Sequence, residues 1–226
     1  MPARRHLFRH MISTLPPGTW RAWVAACLLG ACSMVHAASI SGLVTDRNNT
    51  PLSDAVIYAV PAAAASPAKP ARGAVIDQVN KEFVPYVTPV QTGTAIIFPN
   101  KDNIRHHVYS FSPAKTFELR LYSGVPASPV LFDKPGAVVL GCNIHDWMLA
   151  YVYVVDTPYF AKTVNGNARI DGLPAGEYEL RTWHPQLRGP LPSQQVRAST
   201  DGATAVRVTL DLLPKPPQGG AGPAVK

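Results

Sequence analysis

The feature that most constrains the fold is the succession of short apolar runs separated by turn clusters from residue 39 onward. No stretch in this region keeps an apolar period of about 3.6 residues over several turns, which argues against amphipathic helices. β-branched and aromatic residues are frequent in the runs, as in strands, and pairs such as Asn165-Gly166 punctuate them. The predicted strands are Ile40–Val44, Ala55–Val60, Ala74–Val79, Thr94–Phe98, His107–Phe111, Ala137–Leu140, Leu149–Val155, Glu177–Trp183 and Ala205–Leu210. The sequence therefore predicts an all-β sandwich fold.

The N-terminal segment has the pattern of a secretory signal peptide. Arg4, Arg5 and Arg9 precede an apolar run, Trp23–Val35, and a small-residue cleavage pattern ends at Ala37. The run is too short for a stable transmembrane helix, so we expect export to the periplasm without a membrane span. A less favoured route is lipoprotein processing, in which Cys32 would carry the lipid.

Removing residues 1–37 changes both the charge and the sulfur content. The whole chain of 226 residues has 21 Lys+Arg, 14 Asp+Glu and a net charge of +7. The cleaved segment holds four arginines and no acid, so the exported chain carries only +3, which does not favour nucleic-acid binding. One cysteine, Cys142, and one methionine, Met148, remain. A single cysteine cannot form an internal disulfide, so it needs another role.

The remaining sulfur atoms lie close to histidines. Cys142, His145 and Met148 share one short segment after a predicted strand, and His106-His107 opens another strand. Two imidazoles, a thiolate and a thioether are the ligand set of a type 1 (blue) copper site. Zinc does not select a thioether, and a Cys-His nucleophile would need an orienting group and an oxyanion hole that the sequence does not indicate.

Two segments that contain these residues resemble a known protein family. FPNKDNIRHHVYS and FDKPGAVVLGCNIHDWM resemble cupredoxins of the plastocyanin and amicyanin type, and periplasmic methylamine utilisation proteins. Val75–Phe98 is similar to the first strands of such a domain. The resemblance implies a single type 1 copper ion and metal ligands at His106, Cys142, His145 and Met148. His107 stands where the family commonly has Asn, and strand alternation favours His106 over His107 as the ligand.

The flanking segments resemble a different family. Ile40–Val60 and Asn167–His184 are similar to the carboxypeptidase-regulatory-like domain, a transthyretin-like β-sandwich. We therefore expect a cupredoxin Greek-key β-sandwich joined to, or inserted in, that second sandwich; a single enlarged cupredoxin is the alternative. The predicted divisions are 1–37 signal peptide, 38–63 first strands of the regulatory-like sandwich, 64–73 linker, 74–155 cupredoxin copper domain, 156–213 remainder of the regulatory-like sandwich, and 214–226 disordered tail.

These features together predict an exported one-electron carrier with one copper ion. Such a protein is not itself an enzyme, and it would exchange electrons with a redox protein partner such as a dehydrogenase or a cytochrome. A copper carrier or sensor and a structural binding module without redox activity are alternatives. An enzyme subunit is less favoured, since copper oxidases and nitrite reductases would need a second His cluster.

Overall fold

The computed structural model describes residues 37–63 and 73–214. The predicted signal peptide up to His36, with the alternative lipidation site Cys32, lies outside the described residues. So do residues 64–72 of the predicted linker and 215–226 of the predicted tail. Every regular element of the described part is a β-strand, as predicted. Within these residues, no helix is long and apolar enough to cross a membrane.

Seventeen strands are present in the described residues. They are β1 (Ala38–Asp46), β2 (Val56–Pro61), β3 (Ala74–Val75), β4 (Asp77–Val79), β5 (Glu82–Val84), β6 (Val87–Gln91), β7 (Thr94–Ile97), β8 (His106–Ser112), β9 (Lys115–Tyr122), β10 (Val130–Phe132), β11 (Gly136–Gly141), β12 (Leu149–Val155), β13 (Phe160–Lys162), β14 (Asn167–Leu173), β15 (Gly176–Trp183), β16 (Ser193–Ala198) and β17 (Ala203–Leu210).

The strands form four larger sheets and one small hairpin. Sheet I has the order β14-β1-β17 and sheet II the order β13-β2-β15-β16. Sheet III has the order β6-β12-β11-β8-β9, and sheet IV has the order β10-β7-β3. Strands β4 and β5 pair only with each other. Most pairs are antiparallel, whereas β1 with β17, β12 with β6 and β3 with β7 are parallel.

Three apolar clusters hold these sheets together. The first core lies between sheets I and II and includes Ile40 and Leu180. The second core lies between sheets III and IV and includes Phe98 and Val152. The middle core, which includes Tyr58 and residues of β12, joins sheet II to sheet III. The sheets are therefore stacked through three successive buried layers, and their burial is the main favourable term in folding.

Strand β12 contributes to two of these cores. Ala150 and Val152 lie in the second core, while Tyr153 and Val155 lie in the middle core. Because successive side chains of a strand point to opposite faces, β12 is buried on both sides. This explains why its sequence is a continuous apolar run and does not alternate with polar residues.

The chain leaves and re-enters sheet II at neighbouring strands. Strand β13 pairs with β2, with Phe160 opposite Tyr58. All strands of sheets III and IV lie in sequence between these two strands. The intervening segment therefore begins and ends beside the same part of sheet II.

Several strand boundaries differ from those predicted. The predicted run Ala74–Val79 is divided into β3 and β4, because β3 pairs with β7 while β4 pairs with β5. The residue between them, Ile76, is fully buried in the second core. Strand β8 begins at His106, one residue earlier than predicted. The prediction also omitted β9, whose polar side chains at alternate positions are exposed at the edge of sheet III.

Candidate metal centre

The candidate metal-binding side chains lie at one end of the second core. Cys142 directly follows β11, and a short loop through His145 leads to Met148 and the start of β12. His106 is the first residue of β8, which pairs with β11. Neighbouring strands in one sheet thus bring together two parts of the chain that are far apart in sequence.

Three of the four predicted ligands form one compact group. His106, Cys142 and His145 each offer a ligand atom within 4.8 Å of the other two. Sγ of Cys142 is 3.9 Å from Nδ1 of His145, and the His106 and His145 ring centroids are 5.0 Å apart. Metal–ligand bonds of about 2.0–2.3 Å keep two ligand atoms of one ion within roughly 4.6 Å of each other. The group is therefore close to the size that one metal ion requires.

His106 has one ring nitrogen that no protein group satisfies. The side chain is fully buried, and its Nε2 lies 2.7 Å from Oδ2 of Asp102. Its Nδ1 is buried without a hydrogen-bond partner. Leaving a buried polar atom unpaired is costly, and a metal ion would satisfy it. A carboxylate on the other nitrogen is the usual partner of a metal-bound histidine, so these residues fit a metal ion.

Asp102 is itself held by the turn between β4 and β5. Its two carboxylate oxygens accept hydrogen bonds from the backbone N–H groups of Asn80 and Lys81, at 2.7 and 2.8 Å. Burial alone would raise the pKa of Asp102, but hydrogen bonds from Lys81, His106 and Asn80 hold it below the ordinary value. The carboxylate is thus ionised at neutral pH and fixes the orientation of the His106 ring. The sequence reasoning missed this residue; the available signal was an acid four positions before a candidate ligand.

His107 lies away from the group formed by its neighbour. Its ring is 5.7 Å from that of Tyr109, and its Nε2 is 3.0 Å from Oε1 of Glu118 on β9. It is absent from the set of mutually close ligand atoms. Because β8 alternates its side chains between two faces, His106 turns toward Cys142 and His145 while His107 does not.

Met148 is buried in the same core as Cys142. Its side chain is almost fully enclosed, and its backbone N–H donates to the carbonyl of His145 at 2.9 Å. This bond closes the turn between the two residues and defines the end of the ligand loop, residues 142–148. The structure therefore brings His106, Cys142 and His145 together and places Met148 in the same core as Cys142.

The loop also reaches the protein surface. Ile144 and Trp147 are exposed, and the Trp147 ring is 5.2 Å from the His145 ring. Burial lowers the pKa of His145, and the nearby charges of His106 and Lys81 lower it further, against an opposing effect of Asp102. His145 is therefore neutral at neutral pH, which is the form that binds metals.

Solved structures of known proteins resemble part of this chain. A copper-containing nitrite reductase from Thermus scotoductus is 23% identical with a TM-score of 0.35, over 42% of this chain and 25% of that one. The chain thus spans about a quarter of the reductase. A purple cupredoxin from Nitrosopumilus maritimus is 19% identical (TM-score 0.32), over 36% of this chain and 99% of its own.

A reduced amicyanin variant is 18% identical with a TM-score of 0.33, over 43% of this chain and 99% of its own. No protein-family profile and no curated protein matches the chain. Every score here is below 0.5, so the chemistry of the site rests on the geometry of the chain itself.

Proposed function

We propose that this chain is an exported one-electron carrier with a single type 1 copper ion. His106, Cys142, His145 and Met148 would hold the ion. The protein would act as a carrier and not as a catalyst, working with a redox protein such as a dehydrogenase or a cytochrome. The observation that carries this proposal is the buried, unpartnered Nδ1 of His106 beside Cys142 and His145.

The donor set favours copper over the other metals considered. Copper supplies a reversible one-electron couple between Cu(II) and Cu(I), and a mixed set of imidazole and sulfur donors accommodates both states. A structural zinc site more often uses several cysteines and histidines and does not select methionine. The chain's own contribution is a neutral His145, a buried Cys142 and a His106 ring that Asp102 orients.

The exposed part of the ligand loop supports an electron-exchange role. His145 is partly exposed beside the apolar side chains of Ile144 and Trp147. A redox partner that docked on this patch would come close to a proposed ligand. Processing at the predicted signal peptide would place this encounter in the periplasm.

The first experiment is to add Cu(II) to the purified metal-free protein. We expect an intense blue absorption from thiolate–copper(II) charge transfer and a reversible reduction potential by voltammetry. Replacing the thiolate in Cys142→Ser should abolish the blue colour, since serine oxygen gives no such absorption.

A matched pair of adjacent histidines tests the ligand assignment. His106→Gln should lose the blue spectrum and weaken copper binding, whereas His107→Gln should retain both, because His107 lies outside the ligand group. If the two variants behave alike, the assignment is wrong. Tight Cu(I) binding without a reversible potential would contradict the electron-carrier proposal and favour a copper carrier or sensor.

A further inference from the structure

A cleft of about 360 Å³ lies beside Trp147 of the ligand loop. The β1–β2 connection and the chain around β5 form other parts of its wall. Asp54 lines it from the β1–β2 connection, and Glu82 and Tyr86 line it from the chain around β5. Trp147 and Leu149 contribute from the region where the ligand loop enters β12. The volume lies within the range of small-molecule sites, in which apolar walls surround a few polar groups.

The formal charge of this cleft is negative. Asp54 and Glu82 are the acidic side chains that line it, and no Lys or Arg of the described residues does so. Oδ1 of Asp54 is 3.0 Å from Nζ of Lys162, whose ammonium group also donates to the carbonyl of Val87. Glu82 is exposed and forms no ion pair within the part of the chain that the structure describes. One carboxylate is therefore left without a counter-charge.

Aromatic rings lie on the same cleft. Trp147 is 43% exposed, and its ring contacts the His145 ring at an interplanar angle of 58°. The Tyr86 ring packs edge-on against Tyr151 at 5.5 Å between centroids, which fixes its orientation. Tryptophan and tyrosine faces attract organic cations through the negative charge of their π systems.

We propose that this cleft binds an organic cation, with the ammonium group recognised by the unpaired carboxylate of Glu82 and by the rings of Trp147 and Tyr86. An anion would be repelled by the unpaired carboxylate of Glu82, and a neutral apolar ligand would desolvate that carboxylate without compensation. A bare metal ion fits less well, because the only group of three close metal-binding side chains in the described residues is His106, Cys142 and His145. The cleft is thus distinct from the candidate metal centre.

The test uses the metal-free protein, so that it does not depend on copper binding. Isothermal titration calorimetry should detect saturable binding of choline. Its neutral analogue 3,3-dimethylbutan-1-ol, which replaces the charged nitrogen by carbon, should bind about tenfold more weakly or not at all, since it lacks both the ion pair and the cation–π attraction. Equal binding of the two compounds would overturn the proposal.

Three variants identify the groups responsible. Glu82→Gln and Trp147→Leu should each weaken choline binding by about fivefold, the size expected for one lost cation contact. Trp147→Phe, which keeps a weaker aromatic face, should fall between wild type and Trp147→Leu. The matched control is Glu177→Gln, which removes an exposed carboxylate on β15 that does not line the cleft. A loss in the control equal to that in Glu82→Gln would also contradict the proposal.

Two further probes distinguish the source of the cation. If the natural ligand is a free amine, n-butylammonium should bind at least as tightly as Nα-acetyl-lysine amide. If it is a side chain of another protein, the lysine derivative should bind more tightly. Binding of neither compound would overturn the proposal. A failure of the copper experiment would leave these results unaffected.

Discussion

At the scale of single residues, the candidate centre depends on a carboxylate that is not itself a proposed ligand. Asp102 links the backbone of the β4–β5 turn to Nε2 of His106. It leaves Nδ1 as the nitrogen available to a metal ion. The His106 ring is therefore positioned by Asp102, which is itself held by the backbone N–H groups of Asn80 and Lys81.

Replacing Asp102 by Asn should weaken copper binding while preserving the fold. Loss of the negative charge weakens the hydrogen bond that orients the His106 ring. Changes of this kind typically reduce metal affinity by about 10–100-fold. The affinity would be measured by competition with a chelator of known strength. The control is Asp133→Asn, which alters an exposed carboxylate that pairs with Lys115 and does not contact His106. An equal effect in both variants would refute the positioning role.

At the scale of elements, two positions with a left-handed backbone require glycine for different reasons. Gly166 in the turn between β13 and β14, and Gly172 near the end of β14, both have φ of +78°. A Cβ at Gly166 would lie 2.8 Å from Cβ of Pro51 and 3.0 Å from the carbonyl oxygen of Val44. A Cβ at Gly172 would meet nothing within 4 Å. The first position is constrained by space as well as by backbone conformation, the second by conformation alone.

These two glycines therefore form a matched pair for stability measurements. Gly172→Ala should reduce the free energy of unfolding by about 1–2 kcal/mol, the cost of a left-handed conformation for an alanine. Gly166→Ala should lose about 1–3 kcal/mol more, because the turn between β13 and β14 must move away from Pro51. Denaturant unfolding of both variants provides the measurement. Equal losses would show that the contact with Pro51 is relieved without cost.

At the scale of the whole molecule, the middle core joins the two pairs of sheets. Tyr153 of β12 stacks on Trp183 of β15 at 4.4 Å between ring centroids, with an interplanar angle of 13°. Its hydroxyl lies 3.3 Å from that of Tyr58 on β2. These contacts stabilise the packing of sheet II on sheet III. They also place the ionisable hydroxyl groups of Tyr58 and Tyr153 in the middle core.

Alkaline pH should weaken this packing. Burial raises the pKa of Tyr153 well above its ordinary value, and the hydrogen bond with Tyr58 raises it further. Above the unfolded-state pKa of about 10, the unfolded chain releases a proton that the folded chain retains, so stability falls as the pH rises. Denaturant midpoints measured from pH 8 to 11 should decrease less steeply in Tyr153→Phe. If the midpoint falls equally steeply with pH in Tyr153→Phe and in the wild type, Tyr153 does not cause the loss of stability.

The sequence was most informative about the candidate site, because the residue types that form it are rare in this chain. Cys142 and Met148 are unusual because they are the only sulfur-containing residues after residue 37, and the structure places both beside one end of the second core. Alternation along β8 also favoured His106 over its neighbour as a ligand, and His106 is the histidine of this pair that lies close to Cys142 and His145. The copper identity of the site and its four ligands stay predictions that the proposed experiments address.

Other features depend on contacts that a local pattern does not encode. An acid four residues before a histidine is common, so Asp102 became recognisable only once the β4–β5 turn was seen to hold it. The continuous apolar run of β12 indicates a buried strand, but not that one face meets sheet IV and the other sheet II. Strand pairing between distant segments decides such contacts, and it varies among folds with the same strand pattern.

The double burial of β12 has a consequence for motion near the ligand loop. Met148 is followed directly by a strand whose displacement would disturb two cores at once. Amide hydrogens of this strand should exchange with solvent only on global unfolding, because local opening would expose both faces. The end of the loop is thus anchored to a strand that is packed on both faces. A copper centre anchored in this way would change its geometry little when it gains or loses an electron. The reorganisation energy of electron transfer would therefore be small.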